Sequence, residues 1–406
     1  MERALLVRLR PRGPWRYGPG DGSRDRVDTL YRSDRLYSAV TLAMGQLGHL
    51  SEWLEATAKV SDSAVVFSSL FPYQGETLFV TPPATLWPPP ANLVSTPSPV
   101  FLAKLRWTAA RFVPVNLVES ILGGQNILAD QWLPDAESGC LLRRDRPSSS
   151  PFRTVMRTTA AVDRVTQSAV HVDSTACVEF EPGSGLWTIA KFASPEAESA
   201  WSGRLKAVFR LLADSGFGGR RKSGWGQAEA PQFQEGSWPS VLMPKLGRLA
   251  NNGTETEPSL YWLLSLYAPG SQDAIDWRSG EYKITTRGGR VENAAEKKLL
   301  RMVAEGSVLA AHAEPAGTAV DVAPDGFEHP VYRFGFALSV RLPKLEPRAE
   351  QGPVEMPAGE EPKPCEEERP LPSGRGSETE PEAWVGTEPE AAVREKPEGE
   401  EPGHEI

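Results

Sequence analysis

The sequence predicts an α+β fold, and three observations carry that expectation. Apolar residues recur at helical spacing in three separated segments, short β-type runs surround them, and glycine and proline mark the intervals between. The first run, Arg3–Arg10 (RALLVRLR), reads as a strand and is followed by a glycine- and proline-rich loop. The segment SDRLYSAVTLAMGQLG then reads as an amphipathic helix. Leu36, Val40, Ala43, Met44 and Leu47 form its apolar stripe, and Ser33 or Asp34 is placed to cap its start. FSSLFPYQGETLFVTPP reads as a strand entering a proline-rich crossing. A second helical pattern lies within residues 104–131 and stops at Gly123 and Gly124. From Cys177 to Phe192 two strand-like runs flank Pro182–Gly185, which reads as a hairpin.

A helix over ESAWSGRLKAVFRLLADSG comes next, with Leu205, Val208, Phe209 and Leu212 on one face and Gly216 as its stop. A soft boundary falls at about residues 234–258. Beyond it YWLLSLYAP, GSVLAAHAE, GTAVDVAP and HPVYRFGFALSVRL read as strands, and VENAAEKKLLRMV as a short helix or charged loop. The order of strand, helix, hairpin, helix and further strands fits two ferredoxin-like units. The expected domains are 1–235, with the glycine-rich loop and a hairpin insertion, and 255–345. Residues 346–406 form an acidic Pro/Glu-rich tail, with too little apolar surface to offset the entropy of ordering it, and are expected to be disordered.

Charge is unevenly shared. The chain carries 44 basic and 53 acidic residues, a net of −9, but residues 346–406 hold 18 acids and 6 bases. Residues 1–345 are therefore slightly basic, which is compatible with a nucleic-acid partner. No run is long and apolar enough to suggest a membrane span, and the amino-terminal apolar stretch is short for a secretory signal. Cys140, Cys177 and Cys365 are scattered, as are the five histidines, so neither zinc spacing nor a disulfide framework is expected. A reducing, cytoplasmic setting is the natural reading, with no cofactor or metal.

The sharpest local feature is SGFGGRRKSGWGQ, residues 215–227. Five glycines flank Arg220, Arg221 and Lys222. Glycine lets a backbone approach a ligand closely and presents amides to anionic oxygens, the cations neutralise phosphates, and Trp225 offers a ring for base stacking. A plain surface turn with solvated arginines is the alternative. The loop lacks Walker spacing and follows a helix rather than a strand, so it is neither a P-loop nor a dinucleotide fingerprint.

A loop of the form GxGGxRxxGxG after a helix marks the RAMP superfamily of CRISPR RNA-binding proteins, and GFGGRRKSGWG, residues 216–226, resembles it. VDRVTQSA (162–169), RGGRV (287–291), VAEGSVL (303–309), HPVYRFGFAL (329–338) and SDRLYSAV (33–40) are similar to segments of one member family, the fourth Csm subunit of type III-A complexes. That resemblance spans roughly residues 1–343. It implies paired ferredoxin-like domains with a β-hairpin thumb, a hold on the 5′ repeat-derived handle of the guide RNA, and docking to the large polymerase subunit and the first backbone subunit. It assigns the handle grip to Gly216, Gly218, Gly219, Arg220, Arg221, Lys222 and Ser223. Arg164 and Arg157 fall at the thumb base, Ser33 and Arg35 at the start of the first helix, and Arg287 and Arg290 in the second domain's share of the groove. RRKSG stands where the family often has KRSSG or RRSSG, adding one base.

No catalytic residue is expected. Some superfamily relatives cut RNA, which leaves a metal-independent endoribonuclease as the alternative, together with the equivalent capping subunit of another type III subtype. His171, Asp163 and Asp173 would be the residues to consider for cleavage, but no second histidine or paired lysine is placed to assist. His171 is expected on the thumb surface, and Asp163 in an ion pair with Arg164 or a turn cap.

Overall fold

The computed structural model describes residues 2–18, 23–96, 100–145, 149–246, 258–291 and 295–343, apart from the side chains of Phe101 and His171. The acidic tail expected to be disordered lies outside the described residues, as does the side chain of His171.

Arg3–Leu9 is the inner strand of the first sheet because its side chains are buried on both faces: it runs antiparallel to Ser184–Phe192 on one side and to Gln232–Ser237 on the other. Ser184–Phe192 pairs in turn with Phe71–Gln74 and, further along the same edge, Val65–Phe67. Counting these core strands in chain order gives 4-1-3-2, all antiparallel, which is the ferredoxin-like arrangement. Phe71–Gln74 continues through a tight turn at Gly75 into Thr77–Val80, which meets Val113–Pro114.

Five α-helices among the described residues complete this lobe. Helix α1 (Ser33–Gln46) buries Leu36, Tyr37, Val40, Ala43 and Met44, as its spacing predicts. Leu47 lies just past its end and is largely exposed. Helix α2 (Leu50–Thr57) follows. The helical pattern at 104–131 resolves into two short helices, α3 (Val100–Trp107) and α4 (Val115–Leu122), the latter ending at Gly123. Helix α5 (Pro195–Ser215) begins one turn earlier than periodicity indicates. Ser194 accepts the Ala197 N–H (3.2 Å), Pro195 stands in the first turn, and Glu196 and Glu198 face the positive end of the helix. Trp53, Trp107 and Trp187 are fully buried in this lobe and Trp262 in the next, as their apolar neighbours predict.

The expected hairpin between Cys177 and Phe192 is absent. Those two runs sit in different sheets, joined by a turn closed by the Ser184 N–H and the Glu181 carbonyl. The actual hairpin pairs Phe152–Val162 with Ala169–Phe180 and forms a separate two-stranded ribbon. Most of Phe152–Val162 is solvent-exposed, so it shows none of the apolar alternation that marks a half-buried strand.

The second lobe repeats the sheet order without helices. Its strands Ile275–Glu281, Val308–Ala311, Ser259–Leu263 and Ser339–Arg341 lie side by side in that sequence, again 4-1-3-2 when read from the far edge. Residues 258–291 and 295–343 contain no helix. Of the segment 291–303, expected as a short helix or charged loop, residues 300–303 form the strand Leu300–Val303, which pairs with Ile284–Arg287, and 292–294 lie outside the described residues. No helix among the described residues is long and apolar enough to cross a membrane. Residues 1–347 form one compact unit, with backbone hydrogen bonds crossing between the lobes: Ser69 N–H to Leu264 O (2.9 Å) and Ala84 N–H to Gly306 O (2.8 Å).

Gly226 has φ +81°, and a β-carbon there would stand 2.0 Å from the Phe217 carbonyl oxygen. Gly226→Ala should therefore lower stability by about 1–3 kcal/mol, measured by denaturant unfolding. A loss within a few tenths would show that the loop re-forms without that turn.

Candidate nucleic-acid interface

A cleft of about 250 Å³ opens where three pieces of chain meet. The loop after α5 contributes Gly218 and Arg221. Tyr31 and α1 contribute the buried Asp34 together with Arg35, Ser38 and Leu42. The second lobe contributes Gly288, Gly289, Lys297, Tyr332 and Arg333.

The floor is an ion cluster. The Asp34 carboxylate, 1% exposed, accepts from Arg287 Nε (3.0 Å) and Nη2 (2.9 Å) and also from Arg333 Nη1. Arg333 Nη2 donates to the Gly288 carbonyl (2.9 Å). Burial alone would raise the Asp34 pKa, but the two arginines outweigh it and hold the carboxyl below its ordinary value. For Arg287, burial opposes the charge and Asp34 more than compensates, so its pKa is raised. A second link joins Arg32 to Glu305, which also accepts from Ser69 Oγ.

Around this floor positive charge is in excess. Arg35, Arg221, Lys297 and Arg333 line the cleft, and Asp34 is the one carboxylate among the lining residues. Burial lowers the pKa of Arg35, with Arg287 adding to it, and burial followed by Arg333 lowers that of Lys297. Arg333 is lowered by burial and by Arg287, with Asp34 opposing. These cations crowd one another in a partly desolvated space, which is the condition an incoming anion relieves. Arg35 Nη1 has no hydrogen-bond partner, and Asp28 is 3.9 Å away.

The glycine-rich loop folds differently from a cradle of bare amides. The N–H groups of Phe217, Gly219, Ser223, Gly224, Trp225 and Gly226 donate to Gly226, Arg16, Arg220, Arg221, Arg220 and Pro14 carbonyls respectively. Glycine is needed because the loop lies flat on the Arg12–Tyr17 segment: a β-carbon at Gly218 would come within 2.3 Å of the Arg16 carbonyl oxygen. Gly216 is buried in the same packing, while Gly218, Gly219 and Ser223 are exposed. Trp225 is buried, with Arg220 over its ring at 5.8 Å, so it presents no open stacking face. Trp15 and Tyr17 are also buried, Trp15 stacking on Phe217 at 5.1 Å. What the loop does present is side-chain charge. Arg221 reaches the cleft, Lys222 is exposed, and among the described residues neither pairs with a carboxylate. Arg220 instead turns onto Asp173.

Other sequence-derived assignments fare unevenly. Ser33 caps no helix: its Oγ accepts the Leu266 N–H (3.0 Å), tying α1 to the second lobe, and Asp34 is committed to the ion cluster. Arg287, 5% exposed, is part of the buried clamp and does not line the groove surface. Arg290 remains exposed beside Glu296 at 3.9 Å. Arg157 lies along the hairpin and pairs with Glu179, and Arg164 sits in the turn at the hairpin tip, so neither is at the base. Asp163 caps that turn, accepting from Val165 N–H (2.9 Å) and Thr166 Oγ1 (3.0 Å). Ser38, Lys297, Tyr332 and Arg333 were not singled out as site residues. Tyr332 and Arg333 lie in the HPVYRFG segment and Lys297 in a charged run that reads as solvated surface.

The family model described as the CRISPR Csm4 C-terminal domain matches residues 256–342. The "CRISPR system Cms protein Csm4" of Thermococcus onnurineus (strain NA1) is 24% identical over 355 residues, covering 85% of this chain and 99% of that protein. A chain in the crystal structure of the Csm3–Csm4 subcomplex of the type III-A CRISPR–Cas interference complex superposes with TM-score 0.55 at 13% identity, covering 84% of this chain and 99% of that one. A chain in the Csm1–Csm4 cassette bound to AMPPNP gives 0.51 at 16% identity, covering 85% and 99%. These structural likenesses are likenesses of fold.

Asp34→Ala strands two buried guanidiniums and should cost about 3–5 kcal/mol in chemical unfolding. Because the folded-state pKa of Asp34 is depressed, the stability it contributes is present above its unfolded value of about 3.9 and is lost as pH falls through the lower folded value. Asp34→Asn should flatten the acid limb of the stability curve below about pH 4. An unchanged limb contradicts the clamp.

Proposed function

We infer that this chain, a Csm4 subunit of a type III CRISPR–Cas system, holds the 5′ handle of the guide RNA in the cleft between its lobes. The observation that carries this reading is the surplus of Arg35, Arg221, Lys297 and Arg333 over the single, already shared carboxylate of Asp34. A phosphodiester backbone supplies the anions such a cleft lacks, and Lys222 extends the positive surface along the loop.

We further propose a type III-A assembly, in which the chain docks the large polymerase subunit and the first backbone subunit. Its fold likeness to chains of Csm1–Csm4 and Csm3–Csm4 complexes supports that proposal. The role is binding and scaffolding rather than cleavage. Asp163 is engaged in its turn and Asp173 in two arginine pairs, which leaves neither carboxylate poised as a base. The long hairpin, with Val165 90% exposed at its tip, fits a thumb that meets the guide. The expected 1–235 and 255–345 division is kept as two lobes of one RNA-holding unit, with the first lobe running past residue 235 because its last strand extends to Ser237.

The test is the salt dependence of guide RNA binding by the full chain, followed by fluorescence anisotropy. Changing Arg221, Lys222 and Lys297 together to alanine should weaken binding and reduce the slope of log K against log salt by about 2–3 units. A slope equal to the wild type's would remove the cleft from the interface.

A further inference from the structure

The most unusual ion pair outside the cleft joins the glycine-rich loop to the hairpin. The Asp173 carboxylate, on the hairpin strand, accepts from Arg24 Nη1 (2.9 Å) through one oxygen and from Arg220 Nη2 through the other. One carboxylate thus serves two guanidiniums from distant segments of chain. Glu179 offers a contrast: it pairs with Arg153 and Arg157 of the adjoining strand, a cross-strand brace confined to the hairpin.

Both arginines are anchored by contacts independent of Asp173, Arg24 through its backbone and Arg220 through its ring contact. The Arg24 backbone accepts from the Ala176 N–H (2.8 Å), and Arg16 Nη1 donates to the Ala176 carbonyl (2.6 Å) and the Arg24 carbonyl (3.3 Å). Arg220 sits in the left-handed region at φ +57° over the Trp225 ring, and the neighbouring Gly219 N–H is bound to Arg16 O (2.8 Å). Arg16 adds a third cation whose pKa is lowered by burial and then by Arg220. Arg24 is 63% exposed, so solvent and ligand reach the pair. Arg221, the next residue after Arg220, already lines the cleft.

We propose that Arg24 and Arg220 form a subsite for a guide-RNA backbone phosphate, and that Asp173 occupies it as an intramolecular stand-in when RNA is absent. This rests on the RNA-binding reading above and adds to it. Two guanidiniums converging on two oxygens match a phosphodiester as well as a carboxylate. An entering phosphate displaces Asp173 and releases the glycine-rich loop's ion pair with the hairpin, while the backbone contacts of Ala176 and Val178 with Arg24, Arg16 and Trp15 keep the base of the hairpin in place. Asp173 lowers affinity for nonspecific strands, because every binder must first break its two ion pairs.

The experiment uses the full chain and an oligouridylate of about 8 nucleotides, within the site sizes of single-strand binders. Asp173→Asn keeps shape and removes charge. It should tighten binding several-fold and steepen the salt slope by about 1–2 units. Arg24→Ala, at an exposed position, should weaken binding and make the slope shallower by about 1 unit. If wild-type chain binds and Asp173→Asn is neutral or weaker, the pair is a structural brace and the proposal fails. An Arg24→Ala slope equal to wild type overturns it independently, including when Asp173→Asn does not fold. Wild-type chain that binds neither oligouridylate nor guide RNA overturns the RNA-binding reading itself.

Discussion

The buried carboxylate of Asp34 governs how the two lobes meet. It stands on the first turn of α1 and is gripped by Arg287 and Arg333, both from the second lobe. Taking three charged groups out of water is costly, and the geometry offsets that cost only because the contacts are multiple: Arg287 binds through two nitrogens, and Arg333 is also held by Gly288. The same cluster makes the floor of the cleft. Its net positive charge, together with Arg35, Arg221 and Lys297, gives the space between the lobes its electrostatic character. Removing the clamp therefore alters both the relation of the lobes and the field felt by a ligand.

The glycine-rich loop contributes to that field through its side chains. Six of its backbone amides are engaged, two with the carbonyls of Pro14 and Arg16 and four within the loop, so glycine here serves close packing more than direct contact with a ligand. This division of labour has a consequence. Arg220, Arg221 and Lys222 are consecutive, yet Arg220 faces the hairpin, Arg221 the cleft and Lys222 solvent. A short turn thereby touches both the cleft and the hairpin.

Much of the architecture was legible in the chain. Helices α1 and α5 announce themselves through apolar spacing, α5 also through its glycine stop, and the repeated strand order follows from the sequence of elements. The hairpin was misplaced because Phe152–Val162 is exposed on nearly its whole length and lacks the alternation that sheet burial imposes. Residues 291–303 read as a short helix or charged loop because EKKLL carries strong helix formers among charges, and tertiary pairing with Ile284–Arg287 makes Leu300–Val303 a strand instead. Arg287 shows a deeper limit. Its partner Asp34 lies 253 positions away, and nothing local distinguishes an arginine that meets a buried carboxylate from one that meets a phosphate. Arg333 and Lys297 were hidden for the same reason: the cleft exists only once both lobes are assembled.

The central claim is that guide RNA phosphates enter the cleft over the Asp34 cluster. The most direct measurement is a cryo-EM map of the chain within its guide-loaded assembly. The account predicts backbone phosphate density within hydrogen-bonding distance of Arg221 and Lys297, between α1 and the Gly288–Gly289 turn. A map in which that cleft is empty while the RNA follows another face of the chain would contradict it.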